Sequence, residues 1–276
     1  MGTVSLKTKK DRLISILKGF DSLLIAFSGG VDSTFLLVMA HEILPENLVA
    51  VTAASAVHPE SENRSAKALA NNLGVRHLVF QSKEMMQPDF VANTRDRCYV
   101  CKKYLFEDLL KIASEEGIKH VAHGANLDDL KDYRPGFIAA KEMGIYAPMV
   151  EAGLTKDDIR MLSKTMNLET WNKAPMACLA TRIPYGTPIT TKALKMVDQA
   201  EQVILNLGFD SCRVRLHDSV ARIEVAPGDI DRILDRKIRS TITRQLKGIG
   251  FSHISVDLTG YVPGSMNAVK NTEPKG

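Results

Sequence analysis

Over the first two-thirds of the chain, short continuous apolar runs alternate with apolar residues at helical spacing. Leu23-Leu24-Ile25-Ala26-Phe27, bounded by Asp21-Ser22 and Ser28-Gly29-Gly30, predicts a fully buried strand of a parallel sheet. Phe35, Val38, Met39 and Ile43 then recur at helical spacing until Pro45 stops the helix. The unit repeats. Leu48 to Ala56 reads as a second strand, and Ala66, Leu69, Ala70 and Leu73 as the stripe of a helix ended by Gly74. His77 to Gln81 predicts a third strand and Val121-Ala122 a fourth. This alternation implies an α/β fold with an open, mostly parallel sheet, and places ligands at the carboxyl ends of its strands.

Further on, Thr155 opens a helix with Asp158 as its capping-box acid, and Ile159, Leu162 and Met166 face inward. Periodicity is lost from Trp171 to Pro188, the expected active-site loop. Ala193, Val197, Ala200, Ile204 and Leu207 mark a long helix ended by Gly208. Cys212 to His217 and Val220 to Val225 alternate around Asp218-Ser219 as a hairpin. A helix through Ile230, Ile233, Leu234, Ile238 and Ile242 and a strand through Ile254, Val256 and Leu258 complete a smaller α+β C-terminal domain. The expected division is 1–182 and 183–276, with a loose tail from Gly264.

Composition narrows the function. The 276 residues suit about two domains. Lys and Arg number 36 against 32 Asp and Glu, a net charge of +4, far from the footprint of a protein built to grip nucleic acid. No apolar run suits a membrane span, and MGTVSLKTKKDRL lacks the apolar core of a secretory signal. Four cysteines are too few to staple this chain, so a reducing, cytoplasmic setting is expected.

Ser28-Gly29-Gly30-Val31-Asp32-Ser33 joins a buried strand to a helix. Paired glycines let backbone approach a ligand, the helix start offers N–H groups to an anion, Ser28 and Ser33 add hydroxyls, and Asp32 suits Mg²⁺. There is no Walker A pattern. The hexapeptide resembles the PP-loop of ATP pyrophosphatases, which split ATP into AMP and pyrophosphate while adenylating an oxygen. His123-Gly124-Ala125-Asn126-x-Asp128-Asp129 and Ala147-Pro148-Met149 to Arg160 resemble further motifs of that superfamily. The resemblance implies an adenine nucleotide alpha hydrolase-like fold. It also implies an ATP site using Gly124 and Asn126, with adenine near the second strand and pyrophosphate in the loop.

Cys98 and Cys101 are three apart at a helix start, and Cys178 lies in the aperiodic loop. On spacing alone an iron–sulfur cluster, zinc and plain structural cysteine remain equally open. Cys212, in a short alternating strand, reads as core. Arg213 and Arg215 alternate on one strand face, either as an anion clamp or as an exposed polar face.

Three C-terminal signatures resemble the LarE sulfur transferases. They are Trp171-Asn172-Lys173 through Thr181-Arg182-Ile183-Pro184-Tyr185-Gly186, Arg213-Val214-Arg215-x-His217 with Ala221-Arg222-Ile223-Glu224, and Asp257-Leu258-x-Gly260-Tyr261 to Gly264-Ser265-Met266-Asn267. Asp132-Tyr133-Arg134-Pro135-Gly136 fits as well. That family adenylates the carboxylates of pyridinium-3,5-biscarboxylic acid mononucleotide and installs sulfur, on the way to a nickel-pincer nucleotide. The resemblance implies a small anionic nucleotide substrate, sulfide or another sulfur donor, and a homo-oligomer, trimeric or hexameric. Arg182 is implied in nucleotide binding, and Glu201, Arg213 and Arg215 near the anionic substrate.

One version of the family spends a single cysteine as its sulfur source. That donor position falls on Ala177, beside Cys178, and Cys98 stands where those members carry Trp. The chain is instead similar to the three-cysteine subset, which implies a [4Fe-4S] cluster on Cys98, Cys101 and Cys178. A PP-loop tRNA thiolase, a sacrificial Cys178 and a non-catalytic binding module are the competing readings.

Overall fold

The computed structural model describes residues 4–130, 135–174 and 178–262. Asp132-Tyr133-Arg134, the donor-aligned Ala177, the Gly264-Ser265-Met266-Asn267 segment and the tail from Gly264 lie outside them. The chain divides into two compact units, Met1–Phe90 with Thr94–Met176, and Val91–Asn93 with Ala177–Gly276.

The first unit opens with α1 (Leu6–Leu17), N-capped by Ser5, followed by β1 (Leu23–Ala26) and α2 (Val31–His41). Next come β2 (Leu48–Ala54), α3 (Glu60–Asn72) and β3 (Arg76–Gln81), the short α4 (Pro88–Val91), and α5 (Arg97–Glu115) leading to β4 (His120–His123). Helices α6 (Pro135–Glu142), α7 (Pro148–Glu151) and α8 (Lys156–Thr165) follow. The four strands form a parallel sheet in the order β3-β2-β1-β4, extended beyond β4 by a parallel bridge from Ala122 to Tyr146.

Both faces of β1 and β2 are covered, which is why these two read as unbroken apolar runs, whereas β3 is half-buried. Leu23, Ile25, Ala50 and Ala122 point to a core built with Leu13, Leu17, Phe35, Ile159 and Leu162. Leu24, Val49, Val51 and Val121 point the other way, onto Phe106, Leu109, Ala139 and Ala140. The chain runs from β1 outward through β2 and β3, then returns to lay β4 on the other side of β1. That reversal makes the carboxyl ends of β1 and β4 the topological switch point, where open α/β sheets bind ligands.

The second unit contains α9 (Thr191–Asn206), β5 (Cys212–His217), β6 (Val220–Val225), α10 (Ile230–Ile233), α11 (Arg236–Ile249) and β7 (His253–Val256). Its sheet is mixed. β5 pairs antiparallel with β6, and β6 pairs parallel with β7. The hairpin turns at Asp218, whose φ of 53° lies in the left-handed region an Asp tolerates. The single helix expected from Ile230 to Ile242 breaks in two because the Asp235 side chain accepts bonds from the N–H groups of Lys237 and Ile238, capping a new helix start. The last strand ends at Val256, and Leu258 is exposed.

Candidate active site

The Ser28–Ser33 loop links the end of β1 to the start of α2. Gly29 sits at φ 69°, and a side chain there would meet Ala66 of α3 at 3.1 Å. Gly30 is the N-cap of α2, and no side chain caps that helix start. Ser28 and Ser33 close the loop on itself: their hydroxyls lie 3.1 Å apart, and the Ser33 Oγ accepts from the Ser28 N–H at 3.3 Å. The start of α2, its positive end, thus lacks a side-chain cap and belongs to a loop held in shape by its own serines.

The second motif leaves β4 beside this loop. A Cβ on Gly124 would lie 2.9 Å from the Ser33 nitrogen, so only glycine lets the two loops meet here. Asn126 is buried, and its Oδ1 accepts from the Asp128 N–H at 3.0 Å. Asp128 in turn accepts from the Lys156 N–H at 2.9 Å. Thr155 and Asp158 form the expected capping box, so α8 begins at a fixed place. Lys156, its first residue, therefore reaches Asp32, with Nζ 2.5 Å from Oδ2. The other Asp32 oxygen, Oδ1, is buried and has no hydrogen-bond partner.

A second lysine closes the loop's other flank. Lys173 donates to the Gly29 carbonyl at 3.0 Å and pairs with Glu62 at 2.7 Å, while Arg160 holds the carbonyls of Trp171 and Lys173 at 2.8 and 2.9 Å. Two ammonium groups therefore stand at a loop built to accept an anion. Neither Lys156 nor Lys173 stands out by spacing, although both lie inside segments that resemble family motifs. His123 packs against Phe106 and Phe137, and its imidazole is pushed down to about 3 by burial and by Lys102, so it is neutral near pH 7.

Cys98 and Cys101 fall in the first turns of α5, three apart on one face; Cys98 is exposed and Cys101 half-buried. Cys178 is half-buried in the second unit, as the N-cap of a short 3-10 turn from Leu179 to Arg182. Cys212 is buried, its Sγ 3.6 Å from the Glu201 carbonyl, and burial with the Glu201 charge raises its thiol pKa far above the ordinary value. It is an inert core thiol. No group of three or more His, Cys, Asp or Glu side chains is assembled as a metal site among the described residues. Cys98 and Cys101 lie near the positive end of α5 in the first unit, a setting that favours thiolates, and Cys178 belongs to the second.

The second unit places Arg213 and Arg215 on β5 as the alternation predicts, but in different surroundings. Arg213 is half-buried, stacks over Tyr261 at 5.1 Å and donates to the Cys212 carbonyl at 2.7 Å. Arg215 is buried against Glu224 with two bonds of 3.1 and 2.9 Å. Glu201, on α9, is buried and carries Arg182 at 2.8 Å and 3.0 Å. Arg222 also reaches Glu224, at 3.1 Å. His217 is held below the ordinary imidazole value by burial and by Arg222 and Arg215.

A family model described as NAD synthase matches residues 11–97, the stretch from α1 through the loop to the start of α5. The chain is 38% identical over 264 residues to an uncharacterised protein of Synechocystis sp., covering 96% of this chain and 98% of that one. It is 36% identical over 265 residues to the pyridinium-3,5-bisthiocarboxylic acid mononucleotide synthase of Lactiplantibacillus plantarum, covering 95% of each. A tRNA-specific 2-thiouridylase of Rickettsia felis is 28% identical over 189 residues, 55% of this chain and 52% of that protein.

Proposed function

We infer that this chain, which belongs to the family of the pyridinium-3,5-bisthiocarboxylic acid mononucleotide synthase, is an ATP-dependent sulfur transferase acting on the carboxylates of a pyridinium mononucleotide. The observation that carries the chemistry is Asp32: a buried, unpartnered carboxylate oxygen stands at the uncapped start of α2, where a triphosphate and its Mg²⁺ would need a ligand. Ser28, Gly29, Gly30 and Ser33 would cradle the pyrophosphate, and Gly124 and Asn126 would hold the neighbouring loop against it. Lys156 and Lys173 would exchange Asp32 and Glu62 for phosphate oxygens, neutralising charge as pyrophosphate departs.

In the first step a substrate carboxylate oxygen attacks the α-phosphorus, the bond to pyrophosphate breaks, and an acyl adenylate forms. Carboxylate oxygen leaves poorly, whereas AMP leaves well. A sulfur nucleophile then bonds to the carbonyl carbon, the carbon–oxygen bond to AMP breaks, and a thiocarboxylate and AMP result. Arg213, on a strand face beside Tyr261, is the cation we assign to the substrate's anionic groups.

Cys98, Cys101 and Cys178 are the residues that would hold a [4Fe-4S] cluster, which when bound supplies an open iron able to carry sulfide. Iron content settles this part separately. Reconstitution with iron and sulfide under anaerobic conditions should give a brown protein, and loss of any one of the three thiols should abolish the colour. A colourless protein that loses the Cys178 sulfur once per product would point instead to a sacrificial cysteine. We place the reaction in the cytoplasm, where thiols stay reduced, and expect a trimer or hexamer. No described helix is long and apolar enough to cross a membrane.

Pyrophosphate release tests the reading. It should depend on both ATP and the pyridinium dicarboxylate. ATP binding without release in the presence of that substrate would leave a mere nucleotide-binding module. Strong, salt-sensitive binding of tRNA would favour a thiolase like the Rickettsia protein.

A further inference from the structure

Two buried guanidiniums converge on the turn that carries Cys178, all within the second unit. Arg182, only 2% exposed, gives Nε and Nη2 to the two oxygens of Glu201, and its Nη1 donates to Thr181 Oγ1 at 2.9 Å and to the Cys178 carbonyl at 3.4 Å. Arg215, 5% exposed, gives Nε and Nη2 to Glu224, and its Nη1 donates to the Thr181 carbonyl at 2.9 Å. Thr181 completes the lattice, donating from its backbone N–H and its Oγ1 to the Cys178 carbonyl at 2.9 and 2.7 Å. One carbonyl thus collects three donors.

Each arginine is built the same way. A glutamate neutralises one edge of the guanidinium bidentately, and the remaining nitrogen holds turn backbone. Glu201 is itself fixed, because its Oε1 also accepts the Val214 N–H of β5 at 2.9 Å. A guanidinium committed in this way has its charge balanced by a carboxylate and most of its donors engaged.

We propose that Arg182 and Arg215 are positioning residues that act through Cys178, fixing the thiol's backbone by tying the 178–182 turn to α9 and to the β5–β6 hairpin. The proposal rests on the reading above in which Cys178 takes part in sulfur delivery as a cluster ligand. Its chemical sense is that a group delivering sulfur to a short-lived adenylate must be in place before the adenylate forms.

The test measures alkylation of individual thiols by iodoacetamide, followed by peptide mass spectrometry, in the full chain freed of iron with a chelator. Two variants loosen the turn without leaving a buried charge: Thr181→Val, and Arg215→Met combined with Glu224→Gln. Cys178 should react faster by about tenfold in each, as expected when one or two hydrogen bonds to its turn are lost. Cys212, buried in the same unit, should stay unreactive. The thiocarboxylate-forming kcat should fall while KM for the dicarboxylate stays within about twofold, since an interaction that positions the reacting group acts on kcat.

A Cys178 rate unchanged in both variants would overturn the proposal. So would a parallel rise at Cys212, which would make the arginines general supports of the unit, or a rise in KM alone, which would return Arg215 to substrate binding. Failure of the functional reading looks different. The wild-type chain would then make no thiocarboxylate, while the alkylation pattern would still report whether the turn is held.

Discussion

Glu201→Ala is the sharpest perturbation of the second unit. The carboxylate is buried, accepts Arg182 through both oxygens at 2.8 and 3.0 Å, and accepts the Val214 N–H at 2.9 Å. Removing it leaves a guanidinium that is 2% exposed without its counter-charge. Breaking a buried pair on one side costs about 3–5 kcal/mol, and an unsatisfied Val214 N–H adds about 1 kcal/mol or more. In a unit of this size each kcal/mol lowers the melting temperature by about 4–8 °C, so a fall of well over 10 °C is expected. Urea unfolding followed by far-ultraviolet circular dichroism reads the loss, and Arg182→Met with Glu201→Gln supplies the control. The double variant removes both charges and should recover most of the loss. A single variant within about 1 kcal/mol of wild type, or a double variant no better than the single one, would refute the electrostatic account of this brace.

Further predictions concern the first unit and the substrate face. Asp32→Asn should cut pyrophosphate release by about a hundredfold or more with little change in melting, because it weakens the Mg²⁺ ligand while sparing the core; unchanged release would remove Asp32 from the site. Gly124→Ala places a methyl 2.9 Å from the Ser33 nitrogen. It should raise the KM for ATP and cost about 1–3 kcal/mol of stability, measured by steady-state kinetics and melting. Arg213→Ala should raise the KM for the dicarboxylate and leave ATP binding, read by calorimetry, intact. Asp158 is half-buried, which pushes its carboxyl up, but bonds from Lys9 and Thr155 outweigh this and hold it below its ordinary 3.8. Its folded pKa being depressed, its contribution is present above that value and fades as pH falls through and below it. Asp158→Asn should therefore destabilise at neutral pH and flatten the acid limb of a stability–pH curve below about pH 4.

The centre of the sheet was legible because β1 and β2 are buried on both faces and read as unbroken apolar runs; Leu23–Ala26 and Leu48–Ala54 fall where the pattern puts them. The capping box at Thr155 and the turn at Asp218 were equally local signals. Pattern failed where a side chain contact decides. Asp235 splits a helix by accepting two backbone bonds, which hydrophobic spacing does not register. Glu201 and Arg182 are polar letters at positions separated by 19 residues, and nothing in either position alone says that they neutralise one another in the core. The same limit hid Lys156 and Lys173. Each reaches the loop across more than a hundred residues of chain, to Asp32 and Glu62, so their roles follow from the fold and not from spacing. Lys9 is likewise tied to Asp158, at 2.5 Å across most of the first unit's sequence.

The most direct measurement of the central claim is the mass of the product formed from pyridinium-3,5-biscarboxylic acid mononucleotide, ATP, Mg²⁺ and sulfide with the iron-reconstituted chain. The account predicts replacement of carboxylate oxygen by sulfur, with one AMP and one pyrophosphate released for each sulfur installed. A substrate recovered unchanged while ATP is bound or hydrolysed would contradict it.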